Sequence, residues 1–186
     1  MIPKKIQNLN VGCGIDSWGD VRVDVSCSFI DLRFKPDILA DAHFLPFKDG
    51  FFKKVKSHHV LEHLKYPAKA LDELTRVSSE EIVLSFPTER DVFPFIITQI
   101  FPFPRFSRIK FALETRKNGL HLWIIKPKAV MNFLGNKGWV STCKRNSFFA
   151  LTFFGGGRKE KYFRWLTNNF RIAFEYEILA RNLAKR

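Results

Sequence analysis

Two glycines and one carboxylate mark the part of this 186-residue chain with the clearest chemical potential. A short apolar run, residues 6–11, ends in the turn Gly12-Cys13-Gly14, and a second short run ends at Asp24. Glycine lets a backbone pass close to a ligand, and a carboxylate at the tip of the next strand accepts hydrogen bonds from ribose hydroxyls. The pattern predicts a nucleotide-binding βαβ unit.

The spacing within this unit narrows the choice of ligand. A dinucleotide site has a third glycine, a full helix and an acid about 20 residues farther on, because the pyrophosphate rests on the helix N-terminus. Here Ser17 takes the place of the third glycine, and Asp24 follows Gly14 by only ten residues. That leaves room for about one helical turn. A ligand with ribose and adenine but no phosphate tolerates so short a helix, and S-adenosylmethionine is such a ligand.

The segment from Leu9 to Pro87 resembles the class I S-adenosylmethionine-dependent methyltransferases of the type-11 methyltransferase domain family. Four ordered stretches carry the resemblance: LNVGCG, RVDVS, DILADAHFLPFKDGFFKKVKSHHVLEHL and ALDELTRVSSEEIVLSFP. It implies an α/β fold, with a Rossmann-like, mostly parallel sheet sandwiched by helices and the last strand inserted antiparallel. The chain departs from the family at Ser78-Ser79-Glu80, where Pro-Gly-Gly is usual, and in its short first helix. Neither departure removes a ligand contact.

The resemblance also implies a cofactor, S-adenosylmethionine, and roles for particular residues. Asp24 would accept both ribose hydroxyls, Asp41 would accept from the adenine amino group, and the backbone at Ala42 would meet the ring edge. The alternatives are an ordinary surface carboxylate for Asp24 and a turn residue at a strand end for Asp41. The full implied cofactor-binding set is Asn10, Val11, Gly12, Cys13, Gly14, Asp24, Val25, Asp41, Ala42, His43, Ser57 and His58.

The cluster His58-His59-Val60-Leu61-Glu62-His63 admits three roles. A metal site would use His59 and His63, four residues apart on a helix, but no glutamate directly follows the first histidine and no third ligand is evident. We therefore expect no metal. A general base is the second role, because histidine titrates near working pH. The third is packing and hydrogen bonding to neighbouring loops, which we favour for Glu62 and His63.

Two histidines remain candidates for catalysis. His58 is open between a cofactor contact and an acceptor contact, and His121 is either an acceptor-side residue or an ordinary satisfied histidine. The sulfonium of the cofactor is already activated, so positioning supplies most of the rate. A base is needed only if the acceptor must lose a proton.

Composition fits one soluble globular domain, with 46% hydrophobic and 26% charged residues. No apolar run reaches the roughly 20 residues that span a bilayer, and the N-terminus lacks the apolar region of a signal peptide. The three cysteines are scattered, which argues against a disulfide framework and favours the cytoplasm. Cys13 has no evident paired base, so we expect a packing residue and not a nucleophile.

Charge divides the chain into unlike halves. Residues 1–90 carry 13 Lys+Arg and 13 Asp+Glu, whereas residues 91–186 carry 18 and 5, with 14 of the 21 phenylalanines. Within a single domain, 1–186, we distinguish a cofactor-binding half (1–87), an acceptor-side insertion (88–123) and a basic completion of the sheet (124–186). The prolines of the insertion exclude a continuous helix, which predicts an irregular lid or, alternatively, a partly buried aromatic loop.

The basic half favours an anionic partner, which would be RNA, a lipid head group or a phosphorylated metabolite. The expected contacts flank the insertion and are Arg105, Arg108, Lys110, Arg116 and Lys117. A merely solvated basic face is the alternative. The predicted function is methyl transfer to a small molecule or a lipid- or glycan-linked acceptor. The alternatives are RNA methylation and non-catalytic S-adenosylmethionine binding.

Hydrophobic periodicity and turn signals place the elements. Strands are predicted at residues 6–11, 21–25, 37–40, 55–58, 81–86, 140–149 and 173–180. Helices are predicted at residues 68–77, 126–137 and 159–168, the second with Pro127 in its first turn and Gly135 or Gly138 at its exit.

Overall fold

A computed structural model describes residues 6–26, 35–87, 122–123, 125–146 and 175–183. The strands are β1 Asn8–Val11, β2 Val21–Asp24, β3 Ile38–Leu39, β4 Phe52–His58, β5 Ser78–Pro87, β6 Trp139–Asn146 and β7 Glu175–Asn182. The helices are α1 Pro67–Val77 and α2 Pro127–Asn136, and a single 3₁₀ turn covers Leu61–His63. The predicted helix at 159–168 and nearly all of the predicted lid lie outside the described residues.

The strands form one seven-stranded sheet in the order β3-β2-β1-β4-β5-β7-β6. Neighbouring strands from β3 to β5 are parallel, and β7 is inserted antiparallel between β5 and β6. This confirms the predicted Rossmann-like, mostly parallel sheet, including its antiparallel last strand; the sequence predicts helices on both faces, and the described residues place helices on one face. The order reverses between β1 and β4, and in open α/β sheets such a switch point opens a crevice at the carboxyl ends of the strands.

One face of the sheet is apolar and carries the core. Side chains alternate along each strand, and those on this face include Leu9, Val23, Val55, Ile82, Leu84, Ile178 and Ala180, all buried. The buried side chains of α1 and α2 join them in a single hydrophobic cluster. Both helices of the described chain therefore pack on this one face.

The opposite face is polar. Lys54 forms an ion pair with Glu81 at 2.6 Å, Arg181 approaches the same carboxylate at 3.4 Å, and Lys56 binds Asp16. This explains why β4 begins at Phe52 and not at Val55 as predicted. The added lysines, Lys53 and Lys54, do not interrupt the strand, because each pairs with a carboxylate of β5, Lys53 with Glu80 at 3.2 Å and Lys54 with Glu81.

The helix boundaries follow from local chemistry. Helix α1 buries Ala70, Leu71, Leu74 and Val77 at helical spacing and starts with a proline in its first turn. It passes directly into β5, since the Ser78 N–H caps the carbonyl of Leu74 and the Ser78 Oγ donates to the carbonyl of Glu81 at 3.0 Å. Ser78-Ser79-Glu80 is thus strand, which lengthens β5 beyond the prediction. Gly138 (φ +80°) provides the exit of α2, whereas Gly135 lies inside the helix.

None of the helices in the described parts of the chain is long and apolar enough to cross a membrane.

Candidate cofactor site

The segment that joins β1 to β2 is a loop, not a short helix. Its only helix-like turn is closed by the Asp16 N–H, which donates to the carbonyl of Cys13 at 2.8 Å. The amides of Gly12 and Cys13 both donate to the carbonyl of Val23, at 2.8 and 3.1 Å. The predicted single turn is present, but no regular helix forms from it.

The two glycines of this loop serve different needs. Both have left-handed backbone conformations, with φ of +69° at Gly12 and +51° at Gly14. A Cβ on Gly12 would lie 2.2 Å from Cγ2 of Val60, whereas a Cβ on Gly14 would meet no atom within 4 Å. Gly12 is therefore required by the protein's own packing, and Gly14 leaves open space beside its backbone.

Asp24 lies at the end of β2, directly against the glycine loop. Its Oδ2 accepts from the Gly14 N–H at 2.8 Å, and its Oδ1 accepts from the Val25 N–H at 2.7 Å. The Ser26 N–H also donates to Oδ1, at 3.4 Å, so about one of the roughly four acceptor positions of the carboxylate remains for a hydroxyl donor. The carboxylate thus fixes the loop and still presents an acceptor at this edge of the sheet.

Asp41 follows β3 and is organised by His43. Its Oδ1 accepts from the backbone N–H of His43 at 2.9 Å and from the Nδ1–H of the same residue. These two hydrogen bonds, the backbone one foremost, hold the pKa of Asp41 below its usual value. The buried His43 ring then accepts from the Tyr66 N–H at Nε2, at 3.3 Å. Its side chain is committed to the protein, so any ligand contact by His43 would come from its backbone.

Helix α1 holds the loop that follows Asp41. The Arg76 guanidinium donates to the carbonyls of Phe47 and Leu45, at 2.7 and 2.9 Å, and Glu73 accepts from the Leu45 N–H at 2.7 Å. Sequence reasoning missed this support. The partners are about 30 positions apart, and no local pattern links them.

The end of β4 presents buried polar atoms. Ser57 Oγ, His58 Nε2 and Ser85 Oγ have no hydrogen-bond partner within the described residues. Burial, reinforced by the positive charges of Lys56 and His59, lowers the pKa of His58 to about 4, so its imidazole is neutral. Unpaired buried polar atoms are costly, which suits this strand end to a polar ligand.

His59 is enclosed by carboxylates. Its Nε2 lies 2.8 Å from Glu175 of β7 and its Nδ1 lies 3.4 Å from Glu62, and both carboxylates are almost fully buried. Across the described ranges, no three His, Cys, Asp or Glu side chains are grouped so that they could hold a metal ion. The backbone carbonyl of Glu62 accepts hydrogen bonds from residues 122 and 123, in line with the favoured role in bonding to a neighbouring loop.

Cys13 is buried, and its pKa is raised to about 11 by burial and then by the charge of Asp24. Its thiol is therefore protonated at neutral pH, as expected for a packing residue.

Of the remaining predicted residues, some are buried in the described structure and others lie outside it. Val11 and Ala42 are buried, and the buried Asn10 uses its Nδ2 to hold the carbonyl of Trp18 at 3.1 Å. His121 and the five basic residues at positions 105–117 lie outside the described residues. The structure gathers at one edge of the sheet the residues at the carboxyl ends of β1 to β4, namely Gly12, Gly14, Asp24, Asp41, Ser57 and His58.

Part of the chain is similar to a known protein family. Residues 21–84 match a family model described as a methyltransferase domain, the type-11 family. An uncharacterized protein of Methanocaldococcus jannaschii is 34% identical over 92 residues, which cover 41% of this chain and 40% of that protein. The chain thus spans about two fifths of the length of this relative.

Solved structures share the fold. An S-adenosylmethionine-dependent methyltransferase from Archaeoglobus fulgidus superposes with a TM-score of 0.60 at 16% identity, covering 95% of this chain and 86% of that one. Magnesium protoporphyrin IX methyltransferase from Synechocystis, solved with bound S-adenosylhomocysteine, superposes with a TM-score of 0.54 at 13% identity, covering 95% of this chain and 74% of that one. The predicted resemblance is confirmed: residues 21–84 match the model of the type-11 methyltransferase domain, and the chain has the class I methyltransferase fold.

Proposed function

We propose that this protein binds S-adenosylmethionine across the carboxyl ends of β1 to β4 and transfers its methyl group to an acceptor. The observation that carries the proposal is the placement of two carboxylates, Asp24 and Asp41, at the ends of neighbouring strands beside a left-handed glycine loop. Fold alone would not justify the step, because one fold hosts many functions. The residues at this edge are of the types that the ligand requires.

The described residues fit the cofactor part by part. Asp24 would hold the ribose hydroxyls as a charged acceptor, and such hydrogen bonds are stronger than neutral ones. Asp41 keeps an ionised carboxylate that is about half exposed and would accept from the adenine amino group. The open space beside Gly14 admits the ligand chain, since no atom lies within 4 Å of the position a Cβ would take.

The cofactor supplies an activated methyl group, and the protein has to orient it and keep the acceptor in line. His58 is suited to hydrogen bonding with a ligand and not to proton abstraction. A base works best with a pKa near the working pH, and that of His58 is held at about 4. Its neutral Nε2 and the nearby Ser85 Oγ would instead orient a polar group of the cofactor or the acceptor.

Calorimetry tests the cofactor. We expect S-adenosylmethionine and S-adenosylhomocysteine to bind and NAD to bind no more than weakly, because the loop lacks the helix that carries a pyrophosphate. NAD binding tighter than S-adenosylhomocysteine would refute the assignment, as would a folded protein that binds neither.

For the acceptor, we propose a small molecule or a lipid- or glycan-linked compound. Labelled S-adenosylmethionine incubated with cell extract, then separated into nucleic acid, protein, lipid and small-molecule pools, would identify the class. Label in the nucleic acid pool would favour the alternative of an RNA methyltransferase. Cofactor binding with no label in any pool would favour a non-catalytic binding protein.

We also propose an anionic partner for the basic half of the chain, because all of the +13 excess lies after residue 90. Binding to RNA, DNA or anionic vesicles should weaken steeply with salt, as counterion release requires for a polyanion. Absence of binding to all three at low salt would reduce this half to a solvated face.

A further inference from the structure

One short loop connects the proposed cofactor side of the molecule to another segment. Residues 59–64, here called the His59 loop, follow β4 directly. Val60 lies against Gly12 so closely that no side chain fits between them. On the other side, the carbonyl of Glu62 accepts from the amides of Leu122 and Trp123, at 2.8 and 3.2 Å, and the Trp123 indole N–H donates to the carbonyl of Leu64 at 2.8 Å.

The His59 loop is held in an unfavourable backbone conformation. His59 has φ of +54°, the one left-handed residue other than glycine in the described chain. Such a conformation costs free energy and persists only where the surroundings impose it. Here the His59 N–H donates to the carbonyl of Ser85 at 2.9 Å, and its ring lies between the carboxylates of Glu175 and Glu62.

We infer that His59 and Glu175 are positioning residues for the proposed cofactor site: their ion pair fixes the His59 loop, so that Val60 supports the glycine loop and the Glu62 and Leu64 carbonyls anchor residues 122–123. The inference rests on the proposed function, since it concerns the same site. Glu175 lies at the start of β7, and β4 and β5 separate this strand from β1, which leads into the glycine loop. Glu175 therefore acts on the cofactor only through His59.

The charges around His59 support this role. Burial alone would lower its pKa, but the hydrogen bond to Glu175, the nearby carboxylate of Glu62 and the charges of both groups raise the pKa to about 9. The adjacent His58 is neutral, and Lys56 adds a positive charge on β4. The raised pKa means that the ion pairs are intact at neutral pH. They are lost as the pH rises through about 9, and the loop loses its anchor with them.

Glu175→Gln is the first test, and Glu81→Gln is its matched control. Glu81 also pairs with a cation of β7, Arg181, but it does not contact the His59 loop. Amide hydrogen exchange is measured in the free protein. The amides of Leu122 and Trp123 should exchange about tenfold faster in Glu175→Gln and stay unchanged in Glu81→Gln. Equal exchange in wild type and in folded Glu175→Gln would overturn the inference.

Cofactor affinity gives a second readout. S-adenosylhomocysteine should bind about fivefold more weakly to Glu175→Gln, a modest coupling between separated groups, and normally to Glu81→Gln. Wild-type affinity should decline as the pH passes about 9, whereas His59→Asn, which tolerates the left-handed conformation but carries no charge, should show no such decline. A pH profile shared by wild type and His59→Asn would refute the role.

The two proposals fail in distinguishable ways. Wild-type protein that binds no S-adenosylhomocysteine refutes the proposed function, and the exchange experiment, which needs no cofactor, still decides whether Glu175 fixes the loop. Normal binding by Glu175→Gln with normal exchange refutes only the positioning role.

Discussion

Replacing Gly12 by alanine should destabilise the protein more than the same change at Gly14. Both glycines have left-handed conformations, so each substitution carries the cost of placing a Cβ there, about 1–2 kcal/mol. Only at Gly12 does the new Cβ meet an atom, Cγ2 of Val60, at 2.2 Å. Overpacking of that kind costs about 1–3 kcal/mol more. The totals are therefore about 2–5 kcal/mol for Gly12→Ala and about 1–2 kcal/mol for Gly14→Ala.

Urea denaturation of the two variants and the wild type measures this difference. Any change in unfolded-chain entropy on going from glycine to alanine applies to both variants and cancels in the comparison. Two further variants, Val60→Ala and Gly12→Ala/Val60→Ala, isolate the contact, since the double variant should recover about 1–3 kcal/mol of stability relative to additivity. Equal destabilisation by Gly12→Ala and Gly14→Ala, or an additive double variant, would show that Val60 does not restrict residue 12.

Three further predictions concern the same edge of the sheet. Asp24→Ala should weaken S-adenosylhomocysteine binding by on the order of 1.5–3 kcal/mol, the value of hydrogen bonds to a charged group. The control Asp37→Ala, at the opposite end of β3, should leave the dissociation constant unchanged. Equal dissociation constants for Asp24→Ala and wild type would mean that the ribose is held elsewhere. Arg76→Lys should cost about 1–3 kcal/mol of stability in thermal or urea unfolding, because one lysine ammonium cannot donate to two carbonyls and a carboxylate together. An unchanged free energy of unfolding would show that the loop after β3 is fixed by other contacts. Iodoacetamide at about pH 8 should modify exposed Cys143 and leave Cys13 unmodified in the folded protein, since burial raises the Cys13 pKa to about 11. Mass spectrometry measures the extent of modification. Rapid modification of Cys13 would show that it is accessible as a thiolate.

Local sequence determined the elements and the chemistry at their ends. Apolar spacing along residues 70–77 predicts α1 because a helix buries one stripe, and the structure buries those positions. The glycine turn ends ten residues before Asp24, and the structure joins the two by a hydrogen bond from Gly14. Information of this kind is local, since strand, turn and next strand are consecutive in the chain. Local sequence therefore predicted these elements, whereas the antiparallel last strand was implied by the resemblance to the methyltransferase family and is confirmed by the pairing of β7.

Strand limits depended on a partner strand that no local window contains. Lys53 and Lys54 lie beside an apolar run and argue against a strand that begins at Phe52. They are accommodated because Glu80 and Glu81 of β5 pair with them. The cost of burying a lysine is set by the acid opposite it, and that acid is known only once the strands are in register.

The contacts that hold the glycine loop and His59 in place depend on the tertiary structure alone. Gly12 is predicted as a ligand-facing glycine, yet its space is taken by Val60, 48 positions away in the chain. His59 is expected among possible metal ligands or bases, and folding places it against Glu175, at a separation of 116 residues. The pKa of the His59 imidazole is raised only when folding brings the two carboxylates beside it, because charge pairing acts through space and leaves no pattern along the sequence.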